Sequence, residues 1–372
     1  MLNYLAVLIF FISFYRITIV SSSFYLSLFF SLSAIAALLI NSEIRNQFKT
    51  AIGYKLLFSS IAMFLWVFCI DIFSGIIVIS PNAAFSVRII SLFLLSVFPA
   101  FFINCFFIKG DERKFIYVIS GGFLIQTIFW FLTFVYPDVK VMLYSFIGSP
   151  NSVNLRDYNI GSRGFGLSNE INFTTPFMMV FIVMTYYRNL LFKGIILVTQ
   201  LFNSNLVLLA LLIGLVNGKT SFLNKVIILT LSVLSLFFVL AAYVPRLGAE
   251  LDGLGMQTIG ALLGDHVFFL GDFLSDYIFG PFRYVFHGQD IYRSDIGWVI
   301  MANIGGGVLL FLFLIFITIL IVRVSTSLFS VVILLSIVVI LNTKGLLLGP
   351  NAFMFTMFFI LFHNYYSRMR NV

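Results

Sequence analysis

Apolar runs of roughly twenty residues, repeated along the whole chain, constrain this sequence more than any motif in it. Crossing a hydrocarbon core of ~30 Å as a helix takes roughly 20 apolar residues. Runs of that kind fall near 3–20, 24–40, 56–74, 87–108, 115–135, 172–187, 226–243, 296–322, 326–341 and 351–366. Composition agrees: 61% of the 372 residues are hydrophobic, 48 are Phe and 10% are charged, against about 25% charged in a soluble domain. A single soluble core cannot bury that much apolar surface. The chain therefore reads as an all-α polytopic integral membrane protein, one multi-spanning domain over 1–372, with no internal repeat, low-complexity tract or soluble domain. MLNYLAVLIFFISFY lacks the basic start and small-x-small cleavage site of a signal peptide, so it reads as a retained first helix. Cys69 and Cys105 lie inside apolar runs and read as small hydrophobes, not as a disulfide or a nucleophile.

Charge bias orients the path. The short connectors NSEIRNQFKT (41–50), KGDERK (109–114), RNLLFK (188–193) and NGKTSFLNK (217–225) and the final SRMR hold most of the nearby Lys and Arg, which makes them cytoplasmic. RNLLFK and NGKTSFLNK can share a side only if the chain crosses twice between them, so 190–217 is expected to break at Asn203-Ser204-Asn205. The total becomes about 12 transmembrane helices, with both termini cytoplasmic. A single helix over 190–217 would instead invert one side of the molecule. Two long non-cytoplasmic loops remain, about 136–171 and 244–295. They carry Asp138, Asp157, Glu170, Glu250, Asp252, Asp265, Asp272, Asp276, Asp290 and Asp295, most of the chain's 14 acidic residues.

The first loop ends NLRDYNIGSRGFGLSNEINF (154–173). A glycine turn running into a helix N-cap accounts for Ser168, Asn169 and Glu170, but not for Arg156 and Arg163. Guanidinium suits bidentate recognition of phosphate oxygens, and glycines beside Arg163 let the backbone approach a bulky ligand. In the second loop, which also carries Arg246, ALLGDHVFFLGDFL has the amphipathic character of a helix lying in the membrane interface. That accounts for Asp265, Asp272 and Asp276. Arg283, His287, Arg293 and Asp295 gather at the mouth of the next span. Interfacial anchoring is one reading, but four ionisable groups so close together exceed what anchoring needs.

Other motifs carry less. Gly214-Leu-Val-Asn-Gly218-Lys-Thr is one residue short of a phosphate-binding P-loop and follows a membrane helix. Gly253-x-Gly255 lacks the rest of a dinucleotide fingerprint. The absence of any Asp-x-Asp pair removes the simplest divalent-metal site of a sugar-nucleotide transferase, and Asp265-His266 with Asp272 fits no established ligand spacing. Gly305-Gly306-Gly307 reads as a place of close helix packing.

Two patches resemble the Wzy-type O-antigen (oligosaccharide repeat-unit) polymerases: Ser162-Arg163-Gly164-Phe165-Gly166, and Phe279-Gly280-Pro281-Phe282 followed by Ser294-Asp295-Ile296-Gly297-Trp298 and the glycine step at 305–307. The hydropathy profile is similar over the whole chain. The repeated Arg-x15-Gly pattern of some members is absent from both loops, and related O-antigen ligases carry a His-Asn pair near where Ser294-Asp295 stands. The resemblance implies transfer of a glycan from undecaprenyl pyrophosphate to another lipid-linked repeat unit, at the periplasmic face of a bacterial inner membrane. Arg163, Arg283, Arg293, Arg246, Arg156 and His287 would bind the pyrophosphate, and Asp295 would be the general base. No metal or other cofactor is expected. The partners implied are the lipid-linked oligosaccharide, the bilayer and a chain-length regulator protein, with no nucleic acid. A flippase of lipid-linked glycans and an O-antigen ligase are the alternatives. A charge at mid-bilayer costs ~3 kcal/mol, so the interface is where such groups can stand.

Overall fold

The computed structural model describes residues 2–18, 25–79, 84–147, 166–167, 174–204, 206–218, 221–235, 260, 264, 266–285 and 293–370. Among them all regular structure is helical, apart from an isolated antiparallel bridge between Thr18 and Tyr25. Leaving aside single turns, the chain runs through α1 (Leu2–Phe14), α2 (Ser27–Ile40), α3 (Ser42–Ile52), α4 (Tyr54–Phe73), α5 (Phe85–Ile108), α6 (Glu112–Val135) and α7 (Pro137–Ile147). It continues through α8 (Thr174–Tyr186), α9 (Leu190–Leu201), α10 (Val207–Asn217), α11 (Phe222–Ser235), α12 (Leu274–Phe279), α13 (Gly297–Val324), α14 (Leu328–Lys344) and α15 (Ala352–Arg370).

Among the described residues α4, α5, α6 and α13 are long and apolar enough to cross a membrane, and α2 with α3 would make a fifth span if counted as one helix bent by 113°. The bend has a local cause. Asn41 leaves the helical conformation and its Oδ1 accepts from the Glu43 and Ile44 amides at 2.9 and 3.1 Å, capping a new helix. In that helix Glu43, Arg45 and Lys49 are exposed while Ala51 and Ile52 are buried. The stretch expected as a connector is thus an amphipathic helix lying across the end of the bundle.

The axis of the bundle is α15, buried from Ala352 to His363. Lipid tails are as apolar as these side chains, so shape and ring packing decide how membrane helices associate. Phe355 and Phe359 meet Phe10 at centroid separations of 5.7 and 5.2 Å, Phe359 stacks on Phe115 at 5.1 Å, and Phe362 meets Phe101 at 5.2 Å and Phe48 at 5.9 Å. Helix α5 reaches this axis through two π turns, Phe93–Val97 and Asn104–Ile108. In the first, Phe98 N donates to Phe93 O, so Leu94 O would need the amide of residue 99. That residue is Pro99, which has no N–H, and Ser31 Oγ donates to Leu94 O instead.

Contacts sort the helix ends into two groups. At one end Arg370 pairs with Asp111 at 3.0 Å, Tyr366 OH donates to Gln47 at 3.0 Å and Tyr187 OH to Ile116 O at 2.7 Å. Arg323 donates to Thr50 O and Ala51 O at 3.1 and 2.9 Å, Asn364 to Val324 O at 3.1 Å and Lys193 to Met184 O at 3.2 Å. The connectors 41–50, 109–114 and 188–193 and the C-terminal turn thus lie together. Helix α1 runs parallel to α6, with Tyr4 beside Tyr117 and Phe10 beside Phe123. Both ends of the described chain therefore belong to this connector end.

The chain does turn back within 190–217. Helix α9 leaves the connector end at Lys193, the bend reaches Trp130 and Phe134 near the far end of α6, and α10 returns until Gly218 meets the Met184 carbonyl. Trp130 Nε1 donates to Asn203 Oδ1 at 3.3 Å. Each arm is under ~20 Å long, shorter than the ~30 Å hydrocarbon core. Helix α1 is also shorter than the apolar run 3–20. It stops at Phe14, and the chain reverses through Arg16, whose φ is +53°. A guanidinium held in the helix would stay in hydrocarbon; the reversal lets it reach polar partners at the opposite, loop-bearing end.

Candidate functional site

Helix α13 positions most of the loop end. It contains one residue with non-helical dihedrals, Gly306 (φ 60°, ψ −157°). That break frees carbonyls of the preceding turn, and two of them find outside donors: Arg283 N reaches Asn303 O at 2.9 Å and Trp66 Nε1 reaches Gly305 O at 3.3 Å. The glycine step therefore admits a loop as well as a neighbouring helix. A Cβ on Gly306 would stand 2.4 Å from Gly280 N, and one on Gly305 would stand 3.1 Å from Ile70 Cδ1 of α4. Gly280 itself has φ +92°, and Phe282 beside it has φ +57°, a conformation a bulky residue adopts only under constraint.

Gly306 lies about 13 Å along the helix from Gly297, so residues 266–285 descend beside α13 and climb back. The helix expected over 261–274 is not what the described part forms: 266–273 is non-helical and only α12 follows. The reason is Asn303, wholly buried on α13. Its Nδ2 donates to Phe268 O at 3.0 Å and its Oδ1 accepts from Leu270 N at 2.8 Å, so one side-chain amide takes the place of a neighbouring strand. Without such partners, non-helical backbone is not tolerated at membrane depth. At the mouth, His266 Nδ1 stands 3.2 Å from Arg293 O; a carbonyl only accepts, so this nitrogen carries the proton. Ser294 Oγ donates to His266 O at 2.8 Å and Ser294 N donates to Val285 O at 3.0 Å.

This frame carries three of the residues singled out from the sequence. Arg283, Arg293 and Asp295 are all exposed, while Ser294 and Ile296 on either side of Asp295 are buried. The Arg283 amide and the Arg293 carbonyl are tied into the fold, Asp295 is held between two buried neighbours, and all three side chains are exposed beside or just ahead of α13. Arg156, Arg163, Arg246 and His287 lie outside the described residues. What the structure does give near Arg163 is an anchor: Gly166 N donates to Thr133 Oγ1 and Leu167 N to Gln126 Oε1, each at 3.1 Å. A buried amide on a long helix again receives a loop.

Sequence reading missed the groups that bind this end together. Asp71, fully buried near the end of α4, accepts from Phe85 N at 3.2 Å, from Ser86 N at 2.7 Å and from Tyr284 OH. It caps α5 from another helix and ties down the residue next to Arg283. Ser74 Oγ donates to the Tyr284 oxygen at 3.2 Å. Burial first, then the Asp71 carboxylate, holds the Tyr284 phenol well above its usual range, so it stays a donor. Asp71 had a sequence signal, a carboxylate inside an apolar run; Tyr284 had none.

A second polar group lies between the end of α1, the start of α5 and residues 349–350. Arg16 donates to Pro350 O at 3.0 Å and to Tyr25 OH at 3.1 Å, with its guanidinium carbon 5.2 Å from the Tyr25 ring centroid. Arg88 lies over Phe85 at 5.7 Å, and its Cβ is beside Gly349. Both side chains thus border the 349–350 backbone. Among the described residues no three His, Cys, Asp or Glu side chains converge as a metal site would need. No protein-family model, curated protein or solved structure matches the chain.

Proposed function

We propose that this protein polymerises undecaprenyl-pyrophosphate-linked oligosaccharide repeat units at the periplasmic face of a bacterial inner membrane, crossing it about twelve times with both termini cytoplasmic. One observation supports the reading: Arg283, Arg293 and Asp295 stand exposed together at the loop end, while the axis of the bundle is packed with Phe, Met, Ile and Leu. A membrane enzyme acting on a lipid-linked head group needs chemistry at the surface. A transporter of the same glycans would need a polar path along its axis, where α15 places aromatic rings.

In the reaction, an acceptor hydroxyl attacks the anomeric carbon of the donor glycan. The new glycosidic bond forms as the bond to pyrophosphate breaks, and the hydroxyl proton passes to Asp295. Arginine side chains hold the charge growing on the departing lipid pyrophosphate, which is where electrostatic stabilisation acts. Arg283 and Arg293, exposed on the same frame as Asp295, are proposed to do this, and Arg163, Arg246, Arg156 and His287 are proposed to join them. A chain-length regulator would be a partner.

The glycan of a deletion strain tests the assignment. Lipid A core capped with single repeat units means that polymerisation was lost. Absence of every repeat unit means that export was lost, and bare core with lipid-linked polymer accumulating means that ligation was lost; either would overturn the reading. Orientation is checked separately in a background lacking Cys69 and Cys105. A cysteine at exposed Arg293 should react with a membrane-impermeant thiol reagent, and one at exposed Glu112 should not.

A further inference from the structure

We infer that α3 and the start of α4 form a docking surface for anionic phospholipid head groups, with Arg45, Lys49 and Lys55 as its cations. Helix α3 lies across the end of the bundle with an inner and an outer face. Ile44 and Phe48 pack against the core beside buried Ala51 and Ile52. Phe48 meets Phe98, Phe101 and Phe362 at centroid separations of 5.7, 5.0 and 5.9 Å. A helix turns about 100° per residue, which puts Arg45 and Lys49 about 40° apart, on the edge of that apolar face nearest Ile52. Both are exposed.

The acid of α3 is held on another side. Glu43 falls about 160° from Arg45 and about 120° from Lys49 around the helix, and it accepts from Gln47 Nε2 at 3.2 Å. Gln47 is bonded in turn by Tyr366 OH. The carbonyls that a last-turn lysine could cover, Thr50 O and Ala51 O, are taken by Arg323. Among the described residues Arg45, Lys49 and Lys55 form no ion pair. Arg45 and Lys49 thus keep their charge at the boundary between apolar and polar faces, where an interfacial helix carries its cations.

Lys55 extends the surface towards lipid. The chain turns at Gly53, φ +71°, into α4, where Tyr54 and Phe58 are 78% and 74% exposed. Exposed rings on the first turns of a span face lipid, and tyrosine belongs at head-group depth. Exposed Lys55 stands among them. Head-group phosphates offer many anions in one plane, and cations along one edge of a flat-lying helix match a plane better than a single small anion. The inference requires only the membrane class, so the glycan of a deletion strain does not bear on it.

Titrating the detergent-purified full chain with phosphatidylglycerol and with phosphatidylcholine, and reading bound lipid by native mass spectrometry, tests it. The wild type should bind phosphatidylglycerol about ten-fold tighter or more. Each cation near an anionic surface is worth about five-fold. Lys49→Gln should therefore weaken phosphatidylglycerol binding by about that factor, and Arg45→Gln/Lys49→Gln/Lys55→Gln should remove most of the preference. Arg45→Lys with Lys49→Arg should keep it, because charge rather than a fork is recognised. Arg113→Gln with Lys114→Gln, exposed at the same end but off α3, should leave it unchanged.

Equal affinities for the two lipids in the wild type overturn the inference. So does a preference that survives the triple variant, one lost on the charge-preserving exchange, or an equal loss in the Arg113 and Lys114 variant, which would make the charge diffuse. Equal lipid affinities beside polyglutamate binding that the triple variant loses would make the occupant an acidic protein and overturn the lipid surface. If the triple variant elutes aggregated, Lys49→Gln alone decides.

Discussion

At the connector end, Arg323 commits its guanidinium to the Thr50 and Ala51 carbonyls, Lys193 reaches Met184 and Arg370 reaches Asp111. At the loop end, Arg283, Arg293 and Asp295 are exposed, and what the fold uses is their backbone or their neighbours: Arg283 N on Asn303, Arg293 O on His266, buried Ser294 beside Asp295. These connector-end charges are part of the structure, as buried Asp71 is at the loop end, whereas Arg283, Arg293 and Asp295 are carried by the structure and left facing outward. Stability and activity should therefore travel together for the committed charges and separate for these three.

The largest effect should come from removing the support that the loop end needs. Asn303→Leu keeps the volume but strands Phe268 O and Leu270 N, at about 1–3 kcal/mol for each buried polar group. We expect a large drop in thermal stability in detergent and new protease cleavage between 266 and 285. Unchanged melting would mean that the loop does not depend on α13. Next comes Arg323→Gln at the connector end. Losing charge-assisted bonds to two carbonyls should cost about 1.5–3 kcal/mol, with any loss of polymer proportional to the loss of protein in the membrane. Full abundance with polymer abolished would break the comparison from that side.

Arg370→Gln should do less, because an exposed pair contributes under about 1 kcal/mol, and 1 M salt should erase most of the difference. The Arg370 hydrogen bond, then backbone amides, hold Asp111 below the usual carboxylate range. A depressed acid stabilises the fold above its unfolded value of ~3.9, and that contribution fades as pH falls through the lower folded value. Melting of the wild type and Arg370→Gln should thus converge in strong acid. A gap persisting there would assign Arg370 another role.

The smallest stability effect is expected for Arg283→Ala, Arg293→Ala and Asp295→Asn, each within about 0.5 kcal/mol. These should nonetheless lose polymer at wild-type abundance, with Arg→Lys failing nearly as badly as Arg→Ala. Normal-length polymer from all three would leave the architecture standing and remove the catalytic assignment. Loss that tracked abundance would make the loop end structural too.

Two buried amides show where sequence reading stopped. Gln126 and Asn303 each stand inside an apolar run with nothing to mark them as loop anchors, yet each binds the backbone of a loop tens of residues away in sequence. The amphipathic pattern over 261–274 pointed to a helix, and Asn303 overrode it for 266–273 by offering its amide to an extended chain. Asp71 was visible as a charge out of place, but its partners Tyr284 and the α5 amides were not.

By itself the sequence determined the helical membrane class, the turn within 190–217 and the grouping of short basic connectors at one end. These follow from local quantities: the transfer cost of each residue into hydrocarbon, and the parity of a chain that must return to the side where its charges belong. Only the tertiary structure decided that α15 is the axis, that 266–285 folds back beside α13, and that Arg16 and Arg88 both border residues 349–350. In an apolar bundle every helix face is acceptable to lipid, so hydropathy does not say which faces meet. That choice falls to ring packing and to a few polar groups whose hydrogen-bond partners lie up to hundreds of residues away.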